Sequence, residues 1–227
     1  MNENDSKERV KLPWRATGAV YLLTLLGALA AGLWPEAIVP PREPTAAPLP
    51  ALQALAVGQL AFILLIYPLA LLRRQTSGER QSIRAMAGES AMMMLATAPF
   101  YFIATYLSDA TAVDVARVVT AAAIVWPAAW AVGLAFATAK PAGVTVILLA
   151  LLAATLGLLW AYYLALEFTA SPSAAQAFRH FSPILNVWDI AASRPPHGTA
   201  QGLVFLAVET VAAVASLLAV GKKVSPC

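Results

Sequence analysis

Six long apolar stretches, each with almost no charged residues, leave this chain very few possible folds. They cover residues 17–34, 51–72, 89–107, 113–138, 143–168 and 199–220. A helix needs about 20 apolar residues to cross a bilayer core, and only a helix or a closed barrel bonds its own backbone there. The chain is 60% hydrophobic and 12% charged, whereas a soluble domain carries about 25% charged residues. The sequence therefore predicts an all-α, multi-pass membrane protein with six transmembrane helices within residues 17–220.

The basic residues predict the orientation of these helices. Of the 15 Lys and Arg residues, most lie in the tail 1–16, in the loop after the second stretch, in the loop after the fourth, and in the tail 221–227. A six-span topology places all four of these segments on one side of the membrane. Loops rich in Lys and Arg stay on the cytoplasmic side. We therefore expect both termini in the cytoplasm and the chain in the inner (cytoplasmic) membrane of the cell.

The basic loop between the second and third stretches has the pattern of a short helix over 78–87. The Ser77 side chain can cap its first amides, and Glu79 complements the positive end of the helix dipole. Ile83 would lie on one side of this helix, while Arg80 and Arg84, four residues apart, would lie on another. The loop is either a solvated segment that touches lipid or a docking surface for a cytoplasmic partner. In the second case Ser77, Glu79, Arg80, Ile83 and Arg84 would form that surface.

The segment between the fifth and sixth stretches has an amphipathic pattern on the predicted outer side. Ser182-Pro183 matches a helix cap followed by Pro at the first helical position. Phe178, Phe181 and Trp188 add aromatic side chains, which suit the membrane interface. This outer segment, with Phe178, Phe181, Pro183 and Trp188, is either a short interfacial helix or a gate that contacts a substrate.

Three ionisable residues fall within the predicted spans: Asp114, Arg117 and Glu209. Charged side chains are costly in hydrocarbon, so each is a candidate for a functional role. The structural alternative is an ion pair in which Arg117 is matched by Asp114 or by Glu209. Both interpretations stay open from the sequence.

Several classes of function lack the residues they need. The chain has no P-loop, no Gly-x-Ser-x-Gly elbow and no His-Glu-x-x-His pair. Its histidines, His180 and His197, lie outside the spans, so a haem-ligating pair within the membrane is not available. The single cysteine, Cys227, allows neither an internal disulfide nor a cysteine metal cluster. We expect no enzyme activity, no cofactor, no bound metal and no nucleic-acid partner.

The six-span topology, the charged loop between spans two and three, and the amphipathic segment before the last span together resemble the permease subunits of type 2 ABC transporters. Three local matches accompany this topology: Glu79-Arg80 in the loop, Thr97-Ala98-Pro99 in the third span, and residues 181–185 in the outer segment. The resemblance implies that two permeases pair in the membrane, as a homodimer or heterodimer. It also implies that a separate cytoplasmic ATPase subunit docks on the loop around 78–87 and powers export of a lipid-like or amphipathic substrate.

A second function is compatible with the same sequence. Ala-rich spans such as 120–139 and 206–220 allow helices to approach closely, which also suits a non-catalytic scaffold subunit of a respiratory or photosynthetic membrane complex. The co-purifying partner distinguishes the two: a soluble ATPase for the permease, and cofactor-bearing membrane subunits for the scaffold.

Overall fold

A computed structural model of the protein describes residues 13–38, 50–76, 82–108, 110–169, 172–192 and 200–224, and every element in these ranges is a helix. Two of the helices contain π-helical turns. Helix α2 is α-helical over Pro50–Ala61 and Tyr67–Thr76, with a π-helical turn at Phe62–Ile66 between them. Helix α6 is α-helical over Pro141–Leu152 and Leu158–Leu164, with π-helical turns at Ala153–Gly157 and Ala165–Thr169. The other helices are α1 (Pro13–Ile38), α3 (Ile83–Ala96), α4 (Ala98–Ser108), α5 (Ala112–Thr138), α7 (Pro172–Phe181), α8 (Pro183–Ala191) and α9 (Ala200–Val224).

Five helical segments are long and apolar enough to cross a membrane: Arg15–Leu33, Ala51–Thr76, Ile83–Leu107, Ala112–Thr138 and Pro141–Phe168. The predicted all-α, multi-pass membrane protein is therefore confirmed at this level. In α9 the apolar part among the described residues, Gly202–Leu217, is shorter. The sixth span and the orientation of the chain stay predictions.

The second and third spans are longer than the sequence analysis expected. Helix α2 continues through Thr76 instead of ending at residue 72, and α3 begins at Ile83 instead of residue 89. The Ser82 hydroxyl caps α3 by accepting a hydrogen bond from the Ala85 amide at 3.2 Å, which supplies a partner for one of the free amides at the helix start. Residues 83–87 are thus the first turns of the third span and not part of a separate helix. The remaining residues of the expected loop helix, 78–82, lie outside the described ranges except for this cap.

Helix α5 is the centre of the bundle. Of its most apolar stretch 61% is buried, against 56% for α2 and 6% for α6. It contacts α2, α8 and α9, and small residues on its surface allow these neighbours to come close. At Gly133, for example, an added Cβ would lie 2.5 Å from the Leu71 Cδ1 of α2. Helix α6 leaves most of its apolar surface outward.

A proline explains the irregular turn in the middle of α2. Pro68 has no amide hydrogen, and its ring would clash with the carbonyl of the residue four positions earlier in a regular helix. The preceding turn, Phe62–Ile66, opens to the π-helical pattern, and the Tyr67 amide bonds the Phe62 carbonyl five positions back. This wider turn keeps α2 continuous while it accommodates the proline.

Candidate functional site

The outer segment folds as two helices, and the second of them is packed inside the bundle. Ser182 is buried and caps α8 by accepting from the Leu185 amide at 3.5 Å, and Pro183 occupies the first helical position as predicted. Ile184, Val187 and Ile190 are buried, and α8 contacts both α2 and α5. The buried side chains of α8 thus face the bundle, and its depth in the membrane stays a prediction.

The predicted aromatic residues of this segment lie at the border of the bundle. Phe181 is 59% exposed and Trp188 is 38% exposed, while Phe178 is half-buried. The carbonyl of Trp188 accepts a hydrogen bond from the Gln53 side-chain amide at 3.4 Å, which ties α8 to the beginning of α2. Phe181 packs near Phe205 of α9, with ring centroids 6.4 Å apart.

An ion pair that the sequence analysis did not identify fixes α7 against α8. Arg179 donates from Nε and Nη2 to the two carboxylate oxygens of Asp189, at 2.9 and 2.6 Å. The Asp189 side chain is only 2% exposed, so this bidentate pairing supplies the partner that a buried charge requires. The hydrogen bond to Asp189 raises the pKa of Arg179 above its usual value. In the sequence, this pair is indicated by a basic residue, Arg179, before Ser182-Pro183 and an acidic residue, Asp189, after it.

A cavity of about 330 Å³ lies among α2, α5, α6 and α9, next to the junction of α7 and α8. We call it the Glu209 cavity. Its walls are almost entirely aliphatic, and Glu209 is the one ionisable residue among the described residues that line it. The lining comprises Leu64, Pro68, Val125, Ala128, Ala129, Val132, Leu151, Ala154, Thr155, Phe181, Pro183, Leu206, Glu209, Thr210, Ala212, Ala213 and Leu217.

Glu209 is held only weakly by its neighbours. Its carboxylate lies 3.5 Å from the side-chain nitrogen of Asn186, at the long limit for a hydrogen bond. That nitrogen makes a better bond to the His180 carbonyl at 2.9 Å. Asn186 is 1% exposed, and its side-chain oxygen has no partner within the described part of the chain. The Glu209 carboxylate therefore has one long hydrogen bond, and the buried Asn186 oxygen has none within the described residues.

The other two charges predicted within the spans have a structural role. Asp114 belongs to a capping box at the start of α5, where it accepts from the Thr111 amide at 2.9 Å and from the Thr111 hydroxyl at 2.6 Å. Arg117 lies one turn later, with Nη1 at 3.6 Å from the Asp114 carboxylate. Of the two pairings that the sequence left open, the structure has Arg117 beside Asp114. Glu209 is on a different helix and is not part of this pair.

A second buried ion pair connects α2 to α3. Arg74, only 3% exposed, donates to Glu89 at 2.6 Å and to the Thr17 hydroxyl at 3.1 Å. The other Glu89 oxygen accepts from the Tyr67 hydroxyl at 3.1 Å. The sequence analysis counted Arg74 as a loop residue, and the structure corrects this because α2 continues to Thr76. We call these four side chains the Arg74 cluster.

A buried polar network was also missed from the sequence. The Tyr21 hydroxyl lies 2.6 Å from the Thr97 hydroxyl and accepts from the Gln59 amide at 3.0 Å, and Tyr101 donates to the Gln59 oxygen. Thr97 is the turn residue between α3 and α4, so the network fixes this break against α1 and α2. In the sequence, the feature that indicates such a network is Gln59, a polar amide side chain in the middle of an apolar span.

The predicted docking surface is described only in part. Ile83 and Arg84 are exposed on the first turn of α3, while Ser77, Glu79 and Arg80 lie outside the described residues. Among the residues that the structure describes, no group of three or more His, Cys, Asp or Glu side chains is placed to hold a metal ion.

Comparison with known proteins identifies no relative. No family model matches the chain, and neither does a curated protein or a solved structure. The resemblance to type 2 ABC permeases therefore rests on topology and on the short motifs in the sequence.

Proposed function

We propose that this chain is the membrane permease subunit of an ATP-driven exporter, and that it pairs with a second permease and with a separate cytoplasmic ATPase docked on the loop between spans two and three. The observation that carries the proposal is the Glu209 cavity. It lies within the bundle, it is lined by residues of the outer segment, and an amphipathic molecule could pass through such a space toward the outer side.

The helices around this cavity are irregular, which supports movement of its walls. Leu64 lies in the π-helical turn of α2, and Ala154 and Thr155 lie in a π-helical turn of α6. Helix α5 contains Pro127 within the stretch that lines the cavity. Such turns and prolines are common at places where a helix bends or performs a function. A permease needs walls that can rearrange, whereas a purely structural subunit gains nothing from a wide cavity between them.

The first turn of α3 suits the docking of a soluble partner. Ile83 is 55% exposed beside the exposed Arg84, so an apolar and a basic group stand together where the predicted cytoplasmic loop meets the membrane. Glu79 and Arg80 precede them in the sequence. In the proposed complex these four residues contact the ATPase, and ATP-driven closure of the ATPase pair moves α2 and α3.

The test is to purify the protein in mild detergent from its native membrane and to identify the co-purifying proteins by mass spectrometry. We expect a P-loop ATPase in stoichiometric amount. Replacing Glu79 and Arg80 together by Ala, or Ile83 by Asp, should reduce its recovery at least fivefold. Lys140→Ala is the control, because Lys140 is exposed in another loop of the same predicted side. Unchanged recovery in the loop variants would show that the docking assignment is wrong.

The second candidate function is a scaffold subunit of a larger membrane complex, and one observation favours it. The apolar stretch of α6 is only 6% buried, with large side chains such as Leu149, Trp160 and Phe168 directed outward. Lipid or another membrane subunit could cover this surface. Recovery of haem, iron–sulfur or pigment proteins in place of an ATPase would establish this alternative.

A further inference from the structure

We propose that the Glu209 cavity binds an amphipathic cation, a hydrophobic amine whose ammonium group pairs with the Glu209 carboxylate while its apolar body fills the aliphatic part of the cavity. In naming this cation as the exported substrate, the inference rests on the proposed transport function. The binding itself does not require an ATPase.

The position of Glu209 on α9 aims it at the cavity. Leu206, Ala212, Ala213 and Leu217 also line the cavity, and their spacing of three, four or eight residues from Glu209 places them on the same face of the helix. The carboxylate therefore lies partway along an aliphatic wall. A ligand with one polar end and an apolar body matches this distribution, because small-molecule sites are mostly apolar with a few placed polar groups.

The pairing of charged side chains in the bundle indicates that the ligand of the Glu209 cavity is a cation. Asp114 lies beside Arg117, Glu89 pairs with Arg74, and Asp189 pairs with Arg179. Within the described residues Glu209 lies within ion-pair distance of no Lys or Arg, and its hydrogen bond is the long one to Asn186.

An unpaired carboxylate against hydrocarbon is costly. A bound ammonium group would supply its missing partner. An anionic amphiphile would be repelled, and a neutral alcohol would offer the carboxylate a hydrogen bond but no opposite charge, which makes a weaker contact than an ammonium group.

The experiment measures binding of three matched probes to the purified full-length chain in a nonionic detergent: decylammonium, decanol and decanoate. Titration followed by native mass spectrometry counts the bound molecules and gives an apparent Kd for each. Because the three share one alkyl chain, their partition into the cavity by apolar burial is similar. We expect decylammonium to bind at least about tenfold more tightly than decanol, with decanoate weakest; tenfold corresponds to about 1.4 kcal/mol.

Three variants locate the effect. Glu209→Gln keeps the shape and removes the charge, so decylammonium should bind it no more tightly than decanol does. Glu209→Asp should retain most of the preference for the cation. Glu167→Gln is the matched control, since it removes the charge of an exposed carboxylate that does not line the cavity, and it should leave the preference unchanged.

Two results would overturn the inference: equal binding of decylammonium and decanol to the unaltered chain, or a cation preference that persists in Glu209→Gln. The first comparison uses no variant, so it holds even if Glu209→Gln fails to fold. Failure of ATPase co-purification would refute the proposed transport function but leave cation binding intact. Absence of cation binding together with ATPase recovery would refute the substrate class alone.

Discussion

Removing one member of the Arg74 cluster should destabilise the protein more than removing any exposed charge. In Glu89→Gln the side chain keeps its shape and loses its charge, so Arg74, only 3% exposed, has no counter-ion at 2.6 Å. Breaking a buried ion pair in this way costs about 3–5 kcal/mol. Glu89 is 25% exposed, and Gln can still accept one hydrogen bond. We therefore expect the low end of that range, a loss of about 3 kcal/mol.

The assay is thermal unfolding of the purified protein in detergent, followed by size-exclusion chromatography of the heated samples. For a chain of this size, a loss of about 3 kcal/mol lowers the Tm by about 6–12 °C. Arg84→Gln is the matched control, because Arg84 is exposed on the first turn of α3, and it should change stability by less than about 0.5 kcal/mol.

A double variant separates the lost charge partner from other effects of Glu89→Gln. If Arg74→Met is added, no buried charge remains, and most of the lost stability should return. Two outcomes would refute the reasoning: a Tm for Glu89→Gln within 2 °C of the unaltered protein, on the order of the control's change, or a double variant that is less stable than Glu89→Gln.

Two further changes test other contacts of the fold. Arg179→Lys should lower the thermal stability by about 2–3 kcal/mol, because an ammonium cannot reproduce the two hydrogen bonds to Asp189; a variant as stable as the unaltered protein would show that the pair is not required. Gly58→Ala should cost about 1–3 kcal/mol, because its Cβ would lie 2.5 Å from the Ala28 Cβ. Gly27→Ala is the control, since no atom lies within 4 Å of its added Cβ, and equal thermal stability of the two alanine variants would contradict close packing of α1 on α2.

The apolar stretches predicted the helical class because length and hydropathy are local properties of the chain. The ends of the helices were predicted less well, since they depend on partners far away in the sequence. For example, the continuation of α2 to Thr76 depends on the hydrogen bonds from Arg74 to Glu89 and Thr17, and these partners cannot be identified from the local sequence. Likewise, Ser82 and Ser77 are equally good caps by residue type, and the structure describes the former as the cap of α3.

The sequence identified individual residues of the candidate site, but it did not predict that they line one cavity. Glu209, Phe181 and Pro183 were each identified from the sequence, yet nothing in their spacing places them at one cavity. Their meeting depends on α8 packing into the bundle, which follows from burial against α2 and α5. The amphipathic pattern alone fits an interfacial helix equally well, and for that reason the sequence analysis left this segment open between two interpretations.

The distribution of polar contacts divides the bundle into a fixed part and a loosely held part, with the Glu209 cavity between them. Helices α1 to α4 are joined by the Arg74 cluster and by the network around Gln59, and the Gln75 side chain of α2 donates to the Gly133 carbonyl of α5 at 2.7 Å. A relative shift among these five helices would leave buried polar groups without partners. The apolar stretch of α6, in contrast, is only 6% buried. Movement of α6 away from α5 therefore exchanges apolar protein contacts for lipid contacts at little cost. This movement would widen the cavity beside Thr155 while the opposite wall on α2 and α5 stays in place.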